Sequence, residues 1–510
     1  MAPHSSFPED PMKIQLHTLM AGASVLALAS MATAQDNLPQ ADDSYFMAAQ
    51  EELARKIADQ PNVGRAKNVV LFVVDGMSIP TISAARIFEG QSRGVDGESN
   101  VLAFEELLPY TALSKTYTHD AQVADSAPTA TAIVSGIKSL NGTIGVDQNT
   151  KLEDCASQKG NEVTTIFELA EAAGLSTGVV STARITHATP AATYAKVAGR
   201  DWEADSDLSE EAVQNQCKDI AAQLIDWPAG DGFEVILGGG RSNFMLDSQA
   251  DPEDSSKTGS RKQRDLVAEW TAAHNDGAYV WNKEQFDAID MANTNRVLGL
   301  FNASHMQYEA DREGDAGGEP SLAEMSSKAI DMLSRDEDGF VLMVEAGRVD
   351  HAHHAGNAAR ALMDTVEVAA AVQAVYEKVD PAETLIILTA DHSHTMAFSG
   401  YPARNNPILG IAGTADDEKP YTTLGYANGP GAKAEGGRDD LTNTDTTALD
   451  YLQQALVPLE ESETHAGDDV AIFAQGPWAH LFHGTVEQNL IYHVMEQATG
   501  LATRAALSAM

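Results

Sequence analysis

The stretch Gly339-Phe-Val-Leu-Met-Val-Glu-Ala-Gly-Arg-Val-Asp-His-Ala-His-His354 decides the fold of this chain. Residues 340–344 are apolar and partly β-branched, a pattern typical of a buried strand. One glutamate, one aspartate and three histidines follow this run at once. Asp350 and His354 are four residues apart, so they would share one face of a helical turn. A carboxylate and imidazoles at this spacing favour zinc, although a solvated polar turn explains the segment alone equally well.

Two further apolar runs end in the same kinds of side chain. Residues 385–389 lead into Ala390-Asp-His-Ser-His394, and residues 68–74 lead into Asp75. Open α/β sheets bind ligands beyond the carboxyl ends of their strands, so the three runs predict one site at that edge. Alternating β and α patterns over 510 residues predict one large α/β domain, with a mostly parallel central sheet flanked by helices on both faces.

A serine that precedes a run of small residues is the candidate nucleophile. Ser126 lies in residues 124–132, and Pro128 fits the first turn of a helix that ends at Gly136. A helix N terminus suits an anion such as phosphate. Taken alone, Ser126 or Asp125 acting as a helix cap is a simpler explanation. No histidine adjoins Ser126 in the sequence, so a metal ion would have to activate it.

Together these segments resemble the alkaline phosphatase family. The matching motifs, in the family's order, are Asp75-Gly-Met77, Asp125-Ser-Ala127, residues 345–354, Thr389-Ala-Asp-His-Ser-His394 and Thr464-His-Ala-Gly467. The likeness runs from about Ala41 to Met495 and is closer to the animal-type members. It implies a catalytic domain in residues 67–397 and 464–510, with a crown-like insertion in residues 398–463. Residues 35–66 resemble the N-terminal arm, whose helix at 44–58 would embrace the partner of a homodimer.

The resemblance implies a site with two zinc ions and one magnesium ion. The ligands would be Asp350, His354 and His465 for the first zinc ion, Asp75, Asp391 and His392 for the second, and Asp75, Thr189 and Glu345 for magnesium. Ser126 would form a phosphoserine intermediate, and Arg200 would bind the substrate phosphate with its guanidinium fork. Four further histidines match the family. His187 is an animal-type feature of the magnesium region, and His351, His353 and His394 would orient ligands.

The resemblance also implies a calcium site, which this sequence keeps only in part. Glu253, the Phe301 carbonyl group and Glu319 match its ligands, but Asn302 stands where a carboxylate is expected. Carboxylates dominate calcium coordination, so we expect calcium binding to be weak or absent.

The implied function is the hydrolysis of a broad range of phosphate monoesters at alkaline pH. Alternatives are a sulfatase or a phosphodiesterase of the same metalloenzyme superfamily, or a non-catalytic zinc-binding protein. Ser126-Ala-Pro128 resembles the start of a sulfatase motif, but Ala130 occupies the position of its required arginine. A zinc-binding protein would need neither Ser126 nor Arg200.

The beginning of the chain is typical of an exported protein. Lys13 begins a basic region, residues 19–34 are small and apolar, and Ala32-Thr-Ala34 matches a signal-peptidase pattern. We therefore expect residues 1–34 to be an upstream extension plus a cleaved signal peptide, and the protein to be periplasmic or secreted without a membrane anchor. In an oxidising compartment Cys155 and Cys217 favour a disulfide, and the resembling family has a bridge at matching places.

The net charge of −42 is spread along the chain. It argues against a nucleic-acid surface, which would need to be basic, and it suits a saline habitat. Salt screens the repulsion among surface carboxylates, so we expect activity and thermal stability to rise from low to moderate salt. Melting temperatures measured over a salt series test this expectation, and a flat or falling response would contradict it.

Overall fold

The structure is a computed structural model that describes residues 38–509. Contacts divide the chain after Pro61. The part before this point contains the helix α1 (Ser44–Ala58), and Asp43 caps it by accepting hydrogen bonds from the backbone N–H groups of Tyr45 and Phe46. None of the helix residues is buried. The helix predicted at 44–58 is confirmed, whereas the predicted signal peptide lies outside the described residues.

The remaining residues form a large central sheet and three small ones. The strands are β1 (Asn68–Val73), β2 (Tyr110–Lys115), β3 (Ser176–Arg184), β4 (Val235–Gly239), β5 (Gly277–Val280), β6 (Arg296–Leu300), β7 (Phe340–Glu345), β8 (Thr384–Thr389), β9 (Ser393–His394), β10 (Met396–Phe398), β11 (Ile411–Thr414), β12 (Pro420–Thr422), β13 (Leu424–Gly429), β14 (Ala455–Pro458), β15 (His465–Ala466), β16 (Val470–Gln475) and β17 (Thr485–Glu487). The large sheet has the order β17-β2-β16-β8-β1-β7-β3-β4-β6-β5. Within it only β16 runs antiparallel to its neighbours, so the predicted mostly parallel sheet is confirmed.

Helices lie on both sides of this sheet. They are α2 (Ile79–Ser92), α3 (Ala103–Leu107), α4 (Ser126–Ser135), α5 (Cys155–Gln158), α6 (Ile166–Ala172), α7 (Ala188–Ala191), α8 (Glu210–Gln214), α9 (Ile220–Ile225), α10 (Leu266–Ala273), α11 (Lys283–Asp287), α12 (Leu322–Leu333), α13 (Arg348–His354), α14 (Ala358–Tyr376), α15 (Leu490–Thr499) and α16 (Leu501–Ser508), with 3₁₀ turns at Arg241–Phe244, Arg312–Gly314 and Ala479–Leu481. Among the described residues, no helix combines the length and the apolar character that a membrane span requires.

The alternation of side chains along β1 explains why two apolar layers form. Val69, Leu71 and Val73 belong to one buried cluster, whereas Val70 and Phe72 belong to the other. Successive strand residues point to opposite faces, so a strand that is apolar throughout needs helices on both sides.

Two predicted boundaries need correction. The amphipathic pattern of residues 162–173 predicts a helix over that whole range, but the helix begins only at Ile166, because Thr165 and Glu168 form a capping box there. The glycine-rich composition of residues 427–443 predicts a loop over that range, but β13 continues to Gly429, so the loop begins after this strand. Within residues 396–458, β10, β13 and β14 form one small sheet and β11 pairs with β12.

The central position of β1 fixes the place of the candidate site. In the parallel register Val73 lies opposite Glu345 of β7 and opposite Thr389 of β8. The residues that follow these three strands therefore leave the same edge of the sheet side by side. A short antiparallel pair, β9 with β15, places His465 opposite His394 beside this edge.

Cys155 and Cys217 form the predicted disulfide, which closes a sequence separation of 62 residues. Such a crosslink limits the freedom of the unfolded chain. Replacing both cysteines with serine should therefore lower the free energy of unfolding by roughly 4 kcal/mol in the chain-entropy model. Urea unfolding of the oxidised protein and of the double variant measures this difference. Adding a reductant should lower the urea midpoint of the parent protein only. Equal urea midpoints for the oxidised parent protein and the double variant would contradict the prediction.

Candidate metal centre

Three buried carboxylates meet where the central strands end. Asp75 follows β1, Glu345 ends β7 and Asp391 follows β8, and each has no exposed surface. Gly76 has a φ of 74°, and a side chain there would collide with the ring of His394. The turn after β1 therefore requires glycine, which lets the chain leave the strand close to this ring.

The first group of ligand-type atoms surrounds Ser126. The Nε2 atom of His392 lies 3.3 Å from Asp75 Oδ1, 3.3 Å from Asp391 Oδ2 and 3.0 Å from the Ser126 hydroxyl oxygen. Ser126 is the first residue of α4 and is capped by Asp125, as the sequence predicts. The sequence shows no histidine next to Ser126, yet the fold brings His392 to it. The Nε2 atom of His392 thus faces two carboxylates, which is the environment expected of a metal-binding nitrogen.

The second group consists of Asp350, His354 and His465. The Nε2 atoms of His354 and His465 lie 3.0 Å from each other, and 3.5 and 3.3 Å from Asp350 Oδ1. Asp350 and His354 share one face of α13, as their spacing predicts. The Nδ1 atoms of the two histidines lie 2.6 and 2.8 Å from the carbonyl oxygens of Glu463 and Ala124. A carbonyl oxygen can only accept, so each Nδ1 carries the proton and each Nε2 keeps its lone pair for a cation.

His394 joins this group to a carboxylate that the sequence analysis left without a role. Its Nε2 lies 2.6 Å from Asp350 Oδ1, and its Nδ1 lies 2.5 Å from Glu463 Oε2. Burial would lower the pKa of His394, but the carboxylates of Asp350 and Glu463 raise it to about 9. His394 is therefore an imidazolium that orients Asp350. The position of Glu463, two residues before His465, is the signal that could have indicated this role.

The third group comprises Asp75, Glu345 and His187, and the Thr189 side chain lies against Glu345. Both carboxylate oxygens of Asp75, Oε1 of Glu345 and the Thr189 hydroxyl group are buried without a hydrogen-bond partner. Burial, and then the nearby carboxylates, raise the pKa of Asp75. Burial raises the pKa of Glu345 to about 8, although a hydrogen bond from Ser181 opposes the shift. Unpartnered oxygens among mutually repelling carboxylates fit a hard divalent cation.

Arg200 lies beside the N terminus of α4. Its Nη1 forms an ion pair with Asp125, and its Nη2 lies 3.0 Å from His187 Nε2. Asp125 also accepts a hydrogen bond from the backbone N–H of Ala127. The sequence indicates Asp125 only as a helix cap. In the structure Asp125 also holds the guanidinium group of Arg200 next to Ser126. Burial, and then the positive charge of Arg200, keep the pKa of His187 well below its usual value.

Three imidazole rings, from His187, His305 and His351, form a half-buried cluster that we term the histidine wall. Their ring centres are 5.2 Å (187–305), 5.5 Å (187–351) and 4.1 Å (305–351) apart. The sequence analysis did not identify His305, which stands in a loop without any ligand-type motif. His353, which it grouped with the ligand-orienting histidines, lies 3.1 Å from the Thr81 hydroxyl group and 2.8 Å from the Tyr426 hydroxyl group.

The residues of the implied calcium site already have partners within the protein. Asn302 donates a hydrogen bond to Glu319 at 2.9 Å, and Glu253 pairs with Arg241 at 3.0 Å. An amide N–H group thus points at a carboxylate where a cation would need oxygen atoms, and weak or absent calcium binding stays a prediction.

Comparison with known proteins places this geometry in a family. The alkaline phosphatase family model matches residues 66–501. The tissue-nonspecific alkaline phosphatase isozyme of Gallus gallus is 42% identical over 498 residues, which are 96% of this chain and 94% of the relative. The alkaline phosphatase of Gadus morhua is 43% identical over 460 residues, covering 88% and 95%.

Solved structures show the same fold. The alkaline phosphatase of Thermus thermophilus superposes with a TM-score of 0.62 at 23% identity, covering 88% of this chain and 96% of that one. A cold-active alkaline phosphatase from a psychrophilic Shewanella has a TM-score of 0.59 at 26% identity, covering 84% and 98%. A buried serine that faces carboxylate and imidazole ligands at a sheet edge is typical of metal-assisted hydrolases. The chain belongs to the alkaline phosphatase family.

Proposed function

We propose that the protein hydrolyses phosphate monoesters to alcohol and inorganic phosphate, at a site with two zinc ions and one magnesium ion and through a phosphoserine intermediate on Ser126. The proposal depends mainly on one contact, the distance of 3.0 Å between Ser126 Oγ and His392 Nε2. The family relationship supports the substrate class and the alkaline working range. The metal content is supported by the close approach of ligand-type atoms in the three groups. These atoms lie within 4.8 Å of one another in Asp75, Asp391 and His392 and in Asp75, His187 and Glu345. In Asp350, His354 and His465 they are 3.0–3.5 Å apart.

In this proposal Asp350, His354 and His465 hold the first zinc ion, and Asp75, Asp391 and His392 hold the second. Asp75, Thr189 and Glu345 hold magnesium. Bound zinc ions would supply Lewis-acid stabilisation of negative charge on the attacking and leaving oxygens.

The protein's own residues position the reactants. Ser126 attacks phosphorus in line with the ester oxygen. The bond from phosphorus to the ester oxygen breaks, the departing alcohol takes up a proton in place of the one that the serine hydroxyl group loses, and phosphoserine forms. Water then cleaves the phosphoserine bond, which releases phosphate and restores the hydroxyl group. Arg200, held by Asp125 and His187, donates N–H groups to the phosphoryl oxygens through both steps, and the N terminus of α4 favours the same negative charge.

The experiment is to compare a chromogenic phosphate monoester with the matching sulfate ester and phosphodiester at alkaline pH. The protein is assayed before chelation, after chelation, and after zinc and magnesium are restored. Strong monoester turnover that is lost on chelation and regained with both metals supports the proposal. Preference for the sulfate or the diester would move the protein to another branch of the superfamily. No turnover by the metal-loaded protein would favour a zinc-binding role.

We further propose that the protein is periplasmic or secreted and forms a homodimer. The disulfide supports an oxidising compartment, and the absence of buried residues in α1 supports a role for this helix in contacts with a second chain. N-terminal sequencing of the mature protein and light scattering of the purified protein test the two statements. A mature chain that retains residues 1–34, or a monomer at assay concentrations, would contradict them.

A further inference from the structure

The histidine wall faces three guanidinium groups. His187 Nε2 lies 3.0 Å from Arg200, His305 Nε2 lies 2.5 Å from Arg184, and His351 Nδ1 lies 3.2 Å from Arg348. Arginine has no acceptor atom, so the guanidinium group donates and the imidazole nitrogen accepts in the contacts of His187 and His351. Both ring nitrogens of His305 face N–H groups of Arg184, one on the side chain and one on the backbone, and a neutral ring can accept at only one of them. Each of the three rings thus already meets a cation, which argues against a metal ion and for an anion at this wall.

Arg348 differs from the other two arginines because no carboxylate pairs with it. Arg184 forms an ion pair with Glu203, and Arg200 forms one with Asp125. Within the described residues, no carboxylate oxygen lies within 4.0 Å of the Arg348 side chain, and its Nε atom is buried without a hydrogen-bond partner. This cation is unpaired in a chain with 75 acidic residues, and leaving a charge without a counter-ion in a half-buried position is unfavourable.

The neighbours of Arg348 fix its direction rather than neutralise it. Its guanidinium group stacks on the ring of Tyr308, 3.7 Å from the ring centre, and its backbone N–H group donates to Thr182. The buried carboxyl group of Asp364 interacts with the charge of Arg348 from beyond ion-pair distance and accepts a hydrogen bond from the backbone N–H group of Glu309. A planar cation that is held by an aromatic ring and a histidine is preorganised for a phosphate or a carboxylate.

A continuous series of contacts joins Arg348 to the phosphate-binding arginine. Arg200 contacts His187, the His187 ring lies 5.5 Å from the ring of His351, and His351 contacts Arg348. All four side chains are partly exposed, so a substrate could touch them. The rings of His187 and His351 lie between the guanidinium groups of Arg200 and Arg348. This separation suits a substrate in which a short carbon skeleton joins two anionic groups.

We propose that Arg348 and the histidine wall form a second anion subsite, which favours phosphate monoesters whose leaving group carries another phosphate or carboxylate group. The inference rests on the proposed phosphomonoesterase function and names the preferred class of its substrates. The subsite supplies local positive charge where the net charge of −42 would otherwise repel a doubly charged substrate.

The test uses pairs of substrates in which one member carries a second anionic group. Phenyl phosphate is compared with 4-carboxyphenyl phosphate, and fructose 6-phosphate with fructose 1,6-bisphosphate. For each pair the quantity measured is the ratio of kcat/KM for the more highly charged substrate to that for its partner; the bisphosphate value is halved, because either of its two phosphate groups can be cleaved. In the unmodified protein we expect a ratio above one at low salt that falls towards one as salt screens the subsite. A ratio at or below one at low salt would overturn the proposal without any variant.

Arg348→Gln should reduce both ratios about tenfold, because one charge-assisted contact is lost. The reduction should result from a higher KM for the more highly charged substrate. Arg348→Lys keeps the charge and should retain most of the preference; a loss as complete as in the glutamine variant would contradict the role of charge. Arg65→Gln is the control, since Arg65 is exposed, lies before β1 at the opposite edge of the sheet, and changes net charge equally. Unchanged ratios in Arg348→Gln would overturn the subsite. Failure of the unmodified protein to hydrolyse any monoester would instead overturn the proposed function.

Discussion

Replacing Ser126 with alanine is expected to reduce monoester turnover by roughly 10³-fold or more while zinc content stays the same. The hydroxyl oxygen is the atom that bonds to phosphorus in the proposed mechanism, and no other hydroxyl group of the described residues is within hydrogen-bond distance of His392 Nε2. The ligand atoms of Asp75, Asp391 and His392 remain in place in the variant, so binding of the metal ions should persist. The measurements are kcat with a chromogenic monoester and metal content by mass spectrometry.

Ser135→Ala is the matched control. Ser135 lies at the other end of α4, and its hydroxyl group donates to the Thr131 carbonyl oxygen at 2.6 Å. This variant removes a buried hydroxyl group from the same helix without touching the site, so its turnover should stay near that of the parent. If Ser126→Ala kept more than a tenth of the activity, Ser126 could not be the nucleophile.

Removing the metal ions is expected to abolish turnover and to make stability depend strongly on pH. Without a cation, burial and neighbouring carboxylates raise the pKa of Asp75, and burial raises the pKa of Glu345 from 4.5 to about 8. A folded-state pKa above the unfolded value means that the folded protein holds its proton more tightly. The resulting stability is present below about pH 4.5 and is lost as pH rises through about 8. For Glu345 alone the loss is on the order of 5 kcal/mol.

Thermal unfolding of chelated protein at pH 6 and pH 9 checks this prediction. The chelated protein should melt at a clearly lower temperature at pH 9, and reconstitution with zinc and magnesium should remove most of the difference. The Glu345→Gln variant, which does not titrate, should show a smaller difference when chelated. Equal melting temperatures for the chelated protein at both pH values would mean that these carboxylates do not depend on a cation.

The sequence was sufficient to predict the sheet and its functional edge, because these depend on local patterns. The apolar runs before Asp75, Glu345 and Asp391 correspond to the three adjacent strands β1, β7 and β8. The same reasoning predicted the helix that begins at Ser126. Each of these features depends on residues that are close together in the chain, so their periodicity and spacing carry the information.

Contacts between distant segments could not be predicted in this way. The partners of Ser126 and His394, namely His392 and Glu463, come from other segments, and nothing in the spacing fixes their distances. His305 carries no motif and joins the histidine wall only through the path of a loop. The start at Ile166 was missed for a local reason, since the capping box of Thr165 and Glu168 begins the helix four residues after the start of the amphipathic pattern.

The pairing of β9 with β15 has a consequence for biosynthesis. Asp75 leaves the ribosome long before His465, which β15 carries to the same edge and which lies several hundred residues later in the chain. The proposed ligand set is therefore incomplete until His465 has emerged, and metal can be taken up in full only after that point. For a protein that crosses a membrane unfolded, the metal supply that matters is the one at its destination. Growth medium rather than cytoplasmic metal homeostasis would then determine how much of the enzyme is active.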